Sequence, residues 1–324
     1  MSGATAAVSS SALRPRAWSP SDEQIEIRGD GHHAVIVEVS GGIRSYEVDG
    51  RRLLDGYGPG EMCSGARGQL LVPWPNRLRD GRYSFNDVTQ QVPLTEPEKH
   101  NAIHGFLRWE SWRVAARAHD AVVMEHTIHP RAGYPFGVQI SSDYRVGASG
   151  LSVTVTATNI GDSPCPYGMG SHPYLQAEGD DLELCWLEAP GCRQLVTDER
   201  GIPIGSTAVE NTVCDFRSRQ RILGTELDTA FTEVRRDRDG LAWVRLWGRA
   251  ADRGAGLWMD HSLPYYMLFT GDTLPDRSRR RRSLGVEPMT CAPNAFASGD
   301  GLLVLTPAQT TVSRWGITPL GAAP

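Results

Sequence analysis

The chain has 324 residues, with 33 Lys and Arg against 38 Asp and Glu and a formal net charge of −5 at pH 7, so it has no global attraction for nucleic acid or an anionic membrane. Hydrophobic residues make up 40% and charged residues 22%, the balance of a soluble globular protein long enough for one large domain or two ordinary ones. No apolar run approaches the ~20 residues that a membrane helix needs.

Residues 1–20 are rich in Ser and Ala, contain Pro15 and Pro20 and lack an apolar core segment. They read as a disordered tail in preference to a signal peptide. The body, 21–324, reads as one domain, because no linker-like shift in composition and no repeat of propeller or solenoid length divides it. Cys63, Cys165, Cys185, Cys192, Cys214 and Cys291 are scattered without a C-x-x-C pair. They read as reduced thiols of a cytoplasmic protein, with a Cys185–Cys192 disulfide as the less favoured alternative.

Along the body, alternating apolar and polar residues predict strands at 34–39, 122–128, 138–144, 151–157, 241–247 and 302–306. In Leu151-Ser152-Val153-Thr154-Val155-Thr156-Ala157 every second residue is apolar, so one sheet face is oily and the other carries hydroxyls. Gly-rich turns punctuate these runs, and helical periodicity is scarce. The pattern predicts an all-β fold of many antiparallel strands, and leaves sandwich or barrel open.

Between the strands lie stretches suited to chemistry. Val72-Pro73-Trp74-Pro75-Asn76-Arg77 ends in an arginine whose rigid fork of donors matches sugar oxygens, though a loop arginine also caps carbonyls. His100 and His104 are spaced H-x-x-x-H before Gly105, a weak metal signal, since the spacing lacks the glutamate of a zinc-protease helix and glycine disfavours a continuing one. His126 and His129 read as structural. His172 sits in Gly168-Met169-Gly170-Ser171-His172-Pro173-Tyr174-Leu175. The proline biases it to extended backbone and the glycines allow unusual dihedrals upstream, as a positioned general acid requires; an isolated histidine otherwise satisfies a loop carbonyl.

Asp228 is a carboxylate in an apolar segment, fit to bind vicinal hydroxyls or to cap a turn. Arg277, Arg279, Arg280, Arg281 and Arg282 form the strongest charge run. It reads as a solvated loop, or alternatively as an anion clamp beside the site. Glu287 lies in Leu284-Gly285-Val286-Glu287-Pro288-Met289-Thr290; a carboxylate in an apolar run is costly to bury unless paired or functional. There is no P-loop, dinucleotide glycine fingerprint, G-x-S-x-G elbow or cysteine-based zinc pattern.

Taken in order, Asn76-Arg77, Asn101-Ala102-Ile103-His104-Gly105, Gly133-Tyr134-Pro135-Phe136, Asn159 with Gly161, Gly170 to Tyr174, Leu227-Asp228 and Val286-Glu287-Pro288-Met289-Thr290 resemble the aldose 1-epimerase (mutarotase) family over most of the chain beyond the tail. The resemblance implies a large antiparallel β-supersandwich, and interconversion of the α and β anomers of a free aldohexose without metal or cofactor. By resemblance, Glu287 is the general base toward the anomeric hydroxyl and His172 the general acid toward the ring oxygen. His104 and Arg77 are donors to the sugar, Asp228 is an acceptor, and Asn76 shapes the pocket.

The site then calls for an ionised Glu287 beside a protonated His172. Many relatives carry a glutamine where this chain reads Tyr266-Met267-Leu268, so the choice of sugar is left open. The alternatives are a hexose-phosphate 1-epimerase using the arginine tract, a non-catalytic sugar-binding module and, more remotely, a metal-dependent enzyme built on His104, His172, Asp228 and Glu287. The expected partner is a small sugar, with no nucleic acid or membrane, and the chain acts as a monomer or homodimer.

Overall fold

Strand-forming alternation is the rule in the computed structural model, which describes residues 18–177, 179 and 181–321; the expected tail at 1–20 lies almost wholly outside them. All six predicted strands are present, as His32–Val37, Ala121–Ile128, Val138–Gly147, Gly150–Asn159, Ala242–Trp247 and Leu303–Leu305. In Gly150–Asn159, Val153, Val155 and Ala157 are buried while Ser152, Thr154 and Thr156 are partly exposed, because a period of two sends successive side chains to opposite faces.

Two large antiparallel sheets form a β-supersandwich. Among the described residues one sheet has nine strands, centred on Gly150–Asn159 and Thr310–Leu320, and the other has eight. A four-stranded sheet from Gln24–Gly29 to Arg51–Arg52 joins them. One apolar cluster takes in Val153 and Leu257 from the first large sheet, Leu268 and Val286 from the second, and Ile25 and Ile36 from the third. Each fully buried side chain of this type contributes about 1.5–3 kcal/mol, so the shared core decides the sandwich over the barrel. Cys63, Cys165, Cys192, Cys214 and Cys291 are free thiols, so the alternative Cys185–Cys192 disulfide does not form. No helix among the described residues is long and apolar enough to cross a membrane.

The second large sheet positions the chemistry. Its middle runs Asp228–Val234, Tyr265–Phe269, Leu284–Met289 and Gly170–Ser171. In register, Asp228 opposes Phe269 and Met267 opposes Glu287. Val286 and Leu268 point into the main core, whereas Met289 and Met267 belong to a small second cluster with Ala230. Two-residue periodicity therefore sends Glu287 and Asp228 out of the face opposite the main core.

Candidate active site

All six residues singled out from the sequence, Asn76, Arg77, His104, His172, Asp228 and Glu287, line one cleft of about 320 Å³. Loops converge there by backbone pairing. His172 follows strand Gly170–Ser171 and is clamped at both ends, its N–H donating to the Gln69 carbonyl at 3.1 Å and its carbonyl accepting from Gly68 N–H at 2.9 Å. Arg77 opens strand Arg77–Arg79, which pairs with Asn101–Ile103, so His104 emerges beside Asn76.

Asn76 and His104 both adopt left-handed backbone, with φ of 54° and 64°, a conformation held only where its surroundings over-determine it. The bonds that hold it are reciprocal: His104 N–H donates to the Asn76 carbonyl at 2.9 Å, and Asn76 N–H donates to His104 Nδ1 at 3.1 Å. Gly105 follows at φ 64°, where an added Cβ would stand 2.0 Å from the Val72 carbonyl oxygen. Only glycine fits that close approach.

The bond from Asn76 also sets the tautomer of His104. An Nδ1 that accepts a backbone N–H carries no proton, so the neutral ring bears its hydrogen on Nε2. Burial holds His104 well below the usual histidine range, helped by Arg108 and His172. His104 is therefore a neutral hydrogen-bond donor.

His172 Nε2 lies 3.3 Å from Glu287 Oε1, and the two side chains are only 6% and 3% exposed. The other carboxylate oxygen, Oε2, is buried without a partner among the described residues, free to accept from an incoming hydroxyl. Burial, then the charge of Asp228, pushes Glu287 up to about 8, against the pull of Arg77 and Asn76. Burial, then Arg108 and Arg67, pushes His172 down to about 3. Both charged forms are disfavoured, so the expected resting ion pair gives way to a neutral pair that holds one proton.

Arg77 is fixed by a fork to Glu96, with Nε to Oε2 at 2.8 Å and Nη2 to Oε1 at 2.9 Å. Its Nη1 is 3.9 Å from Asp228 Oδ2. Asp228 begins a strand, so the turn-capping alternative does not apply, and its side chain is 44% exposed at the cleft mouth. Asn76 Nδ2 donates to Met267 Sδ at 2.8 Å, so the thioether standing opposite Glu287 meets an amide of the same site.

Sequence reasoning missed Glu96, Arg108 and Phe269, which also line the cleft. Nothing local marks a lone Glu before a short turn or an Arg within the 3-10 turn Leu107–Trp109, and their roles follow only from what the fold sets beside them. The arginine tract is absent from the cleft lining. Arg279 bonds to Asp55, Glu61 and the Gly56 carbonyl, Arg280 to the Leu274 carbonyl, and Arg281 to Asp272. Arg279 and Arg282 line a separate cleft of about 620 Å³. The tract is neither a clamp on the Glu287 site nor a purely solvated run, because nearby carboxylates and carbonyls draw it down.

His104, His172 and Glu287 each offer a ligand atom within 4.8 Å of the others. The His104 tautomer argues against a metal there: Nδ1 is occupied by Asn76 N–H, and a protonated Nε2 has no lone pair to give.

Fold and cleft together define a β-supersandwich with a buried His–Glu couple in a cleft lined by hydrogen-bond donors and acceptors. The chain belongs to the aldose 1-epimerase family, whose model matches residues 23–318. It is 30% identical over 286 residues to YihR of Escherichia coli K12, a protein described as uncharacterized, covering 88% of this chain and 89% of that one. It is 29% identical to the aldose 1-epimerase of the same organism over 163 residues, 48% of this chain and 46% of the other. Among solved structures, a GalM/aldose epimerase homologue from C. elegans superposes with a TM-score of 0.82 at 18% identity, covering 93% and 99% of the two chains. A galactose 1-epimerase from Lactobacillus acidophilus does so at 0.75 and 18%, covering 92% and 95%.

Proposed function

We propose that the cleft interconverts the α and β anomers of an aldohexose by acid–base opening and closing of the ring, with residues 21–324 acting as one domain. The observation that carries this reading is the 3.3 Å approach of two buried titratable groups, His172 and Glu287. Opening a hemiacetal takes one proton from O1 and places one on the ring oxygen. The aldehyde rotates about its C1–C2 bond, and closure on the other face reverses both transfers. Glu287 takes the O1 proton and His172 supplies the ring-oxygen proton. His104 Nε2–H and Arg77 donate to sugar oxygens, Asp228 accepts from hydroxyls, and Asn76 holds His104 in place.

The environment suits this exchange. Burial that raises Glu287 makes it a stronger base, and burial plus cations that lower His172 make it a stronger acid. From the resting neutral pair the proton of Glu287 first passes to His172 Nε2 across the 3.3 Å contact. Ring opening then starts from this charged tautomer and returns the pair to the neutral one, which the buried site favours. A pure binding module needs no such matched couple. Anomer exchange of freshly dissolved α-D-glucose, followed by polarimetry at weakly buffered pH, is expected to run well above the buffer rate. Sugar binding with exchange left at the buffer rate would make the protein a binding module.

A second reading, an aldose carrying a phosphate, is favoured by Arg108 in place of the arginine tract. Arg108 lines the cleft, its Nε donates to Gln69 Oε1 at 3.0 Å, and burial lowers it from the usual arginine value. If an anionic group docks there, the preference for glucose 6-phosphate over glucose is expected to fall at least about tenfold in Arg108→Met, the loss of one charge-assisted contact. Equal or better turnover of glucose by the wild type would reject this second reading.

A further inference from the structure

One buried cation stands outside the roles assigned above. The Tyr174 ring has two flat groups stacked on it. The His172 imidazole lies 4.9 Å away, centroid to centroid, at an interplanar angle of 9°. The Arg67 guanidinium lies over the same ring, 4.4 Å from its centroid. The Tyr174 hydroxyl donates to the Gly65 carbonyl at 2.8 Å, which fixes the ring. Gly65 has φ 61°, and an added Cβ would meet Arg67 Nη1 at 3.0 Å and the Tyr174 hydroxyl at 3.1 Å. The backbone is thus shaped around the stack.

Arg67 is 2% exposed. A guanidinium so buried normally forks onto a carboxylate, but this one does not. Its Nε reaches Asp55 Oδ2 at 3.4 Å, its Nη1 donates to the Ser64 carbonyl at 2.9 Å, and its Nη2 is buried without a partner among the described residues. Asp55 is divided further, since Oδ1 accepts from Arg279 at 3.2 Å and Oδ2 from the Ser283 hydroxyl at 2.9 Å. Arg279, out of the arginine tract, competes for the counter-ion of Arg67. The Arg67 charge stays only partly neutralised, one aromatic ring from His172.

We propose that Arg67 is a positioning residue for the acid step: stacked on Tyr174, it braces the ring on which His172 lies and keeps His172 a strong proton donor. The kinetic consequence rests on the epimerase reading, whereas the effect on His172 itself does not. The groups facing His172 are Glu287 at 3.3 Å, His104 edge-on at 5.5 Å, Tyr174, Arg67 and Arg108. His104 is neutral and Glu287 carries the proton of the resting pair, so the two arginines supply the charge around His172. Removing Arg67 leaves Glu287 and Arg108 in place, and His172 should hold its proton more tightly.

The test is a titration of ¹⁵N-labelled histidine side chains by NMR in wild type, Arg67→Met and Arg67→Lys, with kcat and KM measured in parallel. In Arg67→Met, His172 is expected to be about tenfold weaker as an acid and, with the brace on the Tyr174 ring gone, kcat lower, with KM within about twofold. Arg67→Lys keeps the charge and is expected to restore most of both. A folded Arg67→Met with His172 titrating as in wild type would overturn the proposal, as would a lysine variant displaced as far as the methionine one.

Should Arg67→Met not fold, Arg279→Ser decides, since it releases Asp55 to Arg67 from a partly exposed position. His172 titrating at higher pH supports the proposal, and an unmoved His172 refutes it. The NMR arm stands even if no sugar is turned over, so a failed epimerase reading and a failed Arg67 role give different results.

Discussion

Glu287→Gln is expected to abolish anomer exchange, lowering kcat by about 10²–10⁴-fold, the range for one positioned acid or base, with little change in KM. Gln keeps the shape and an acceptor oxygen but cannot take the O1 proton. His172→Asn should cost a similar factor. Because the proposed acid and base stand 3.3 Å apart and work as one couple in that mechanism, the double variant should lose little beyond the worse single one. Polarimetry of α-D-glucose measures all three. Full activity in Glu287→Gln would move the base elsewhere, and Asp228 is another carboxylate of the cleft.

The same substitution should act oppositely on stability. Burial raises Glu287 to about 8 from an ordinary 4.5. Its folded value is raised, so its contribution is fully present below about 4.5 and is lost as pH rises toward about 8. Gln does not titrate. Glu287→Gln should therefore match wild type in thermal midpoint near pH 4 and exceed it increasingly up to about pH 8. A midpoint that falls below wild type at alkaline pH would mean that the native carboxylate is stabilised as an anion.

The second large effect is the pH dependence of kcat/KM. In the proposed mechanism the active pair holds one proton, whichever partner carries it, so its apparent values belong to the couple. Glu287 raised to about 8 sets the alkaline side, and His172 lowered to about 3 sets the acid side. Activity should be level through neutral pH and fall about tenfold per pH unit above about 8, as the pair loses its proton. Residual activity in Glu287→Gln should lack that alkaline limb. A wild-type rate that keeps rising through pH 9, with chemistry limiting, would exclude this couple.

Much of this was legible in the chain because it is written locally. Period-two alternation in Leu151 to Ala157 needs only neighbouring residues to be read, and it marked a real strand. Glycine and proline around His172, and the apolar run around Glu287, flagged side chains held against their own preference for water. The order of the motifs pointed to the family that the match over residues 23–318 establishes.

What the sequence withheld depends on distance through space. Arg108 and Glu96 have no local mark, and they reach the cleft only because loops far apart in the chain close over one sheet face. The arginine tract looked like a candidate anion clamp beside Glu287. Asp55, Glu61 and Asp272 instead draw it away from the cleft. The sequence alone determined the strand pattern, the family and the six candidate residues. Only the tertiary structure decided the core that the sheets of the expected sandwich share, the tautomer of His104 and the neutral state of the His172–Glu287 pair, because packing, a hydrogen bond from Asn76 and the removal of water are properties of the folded surroundings and not of the residues themselves.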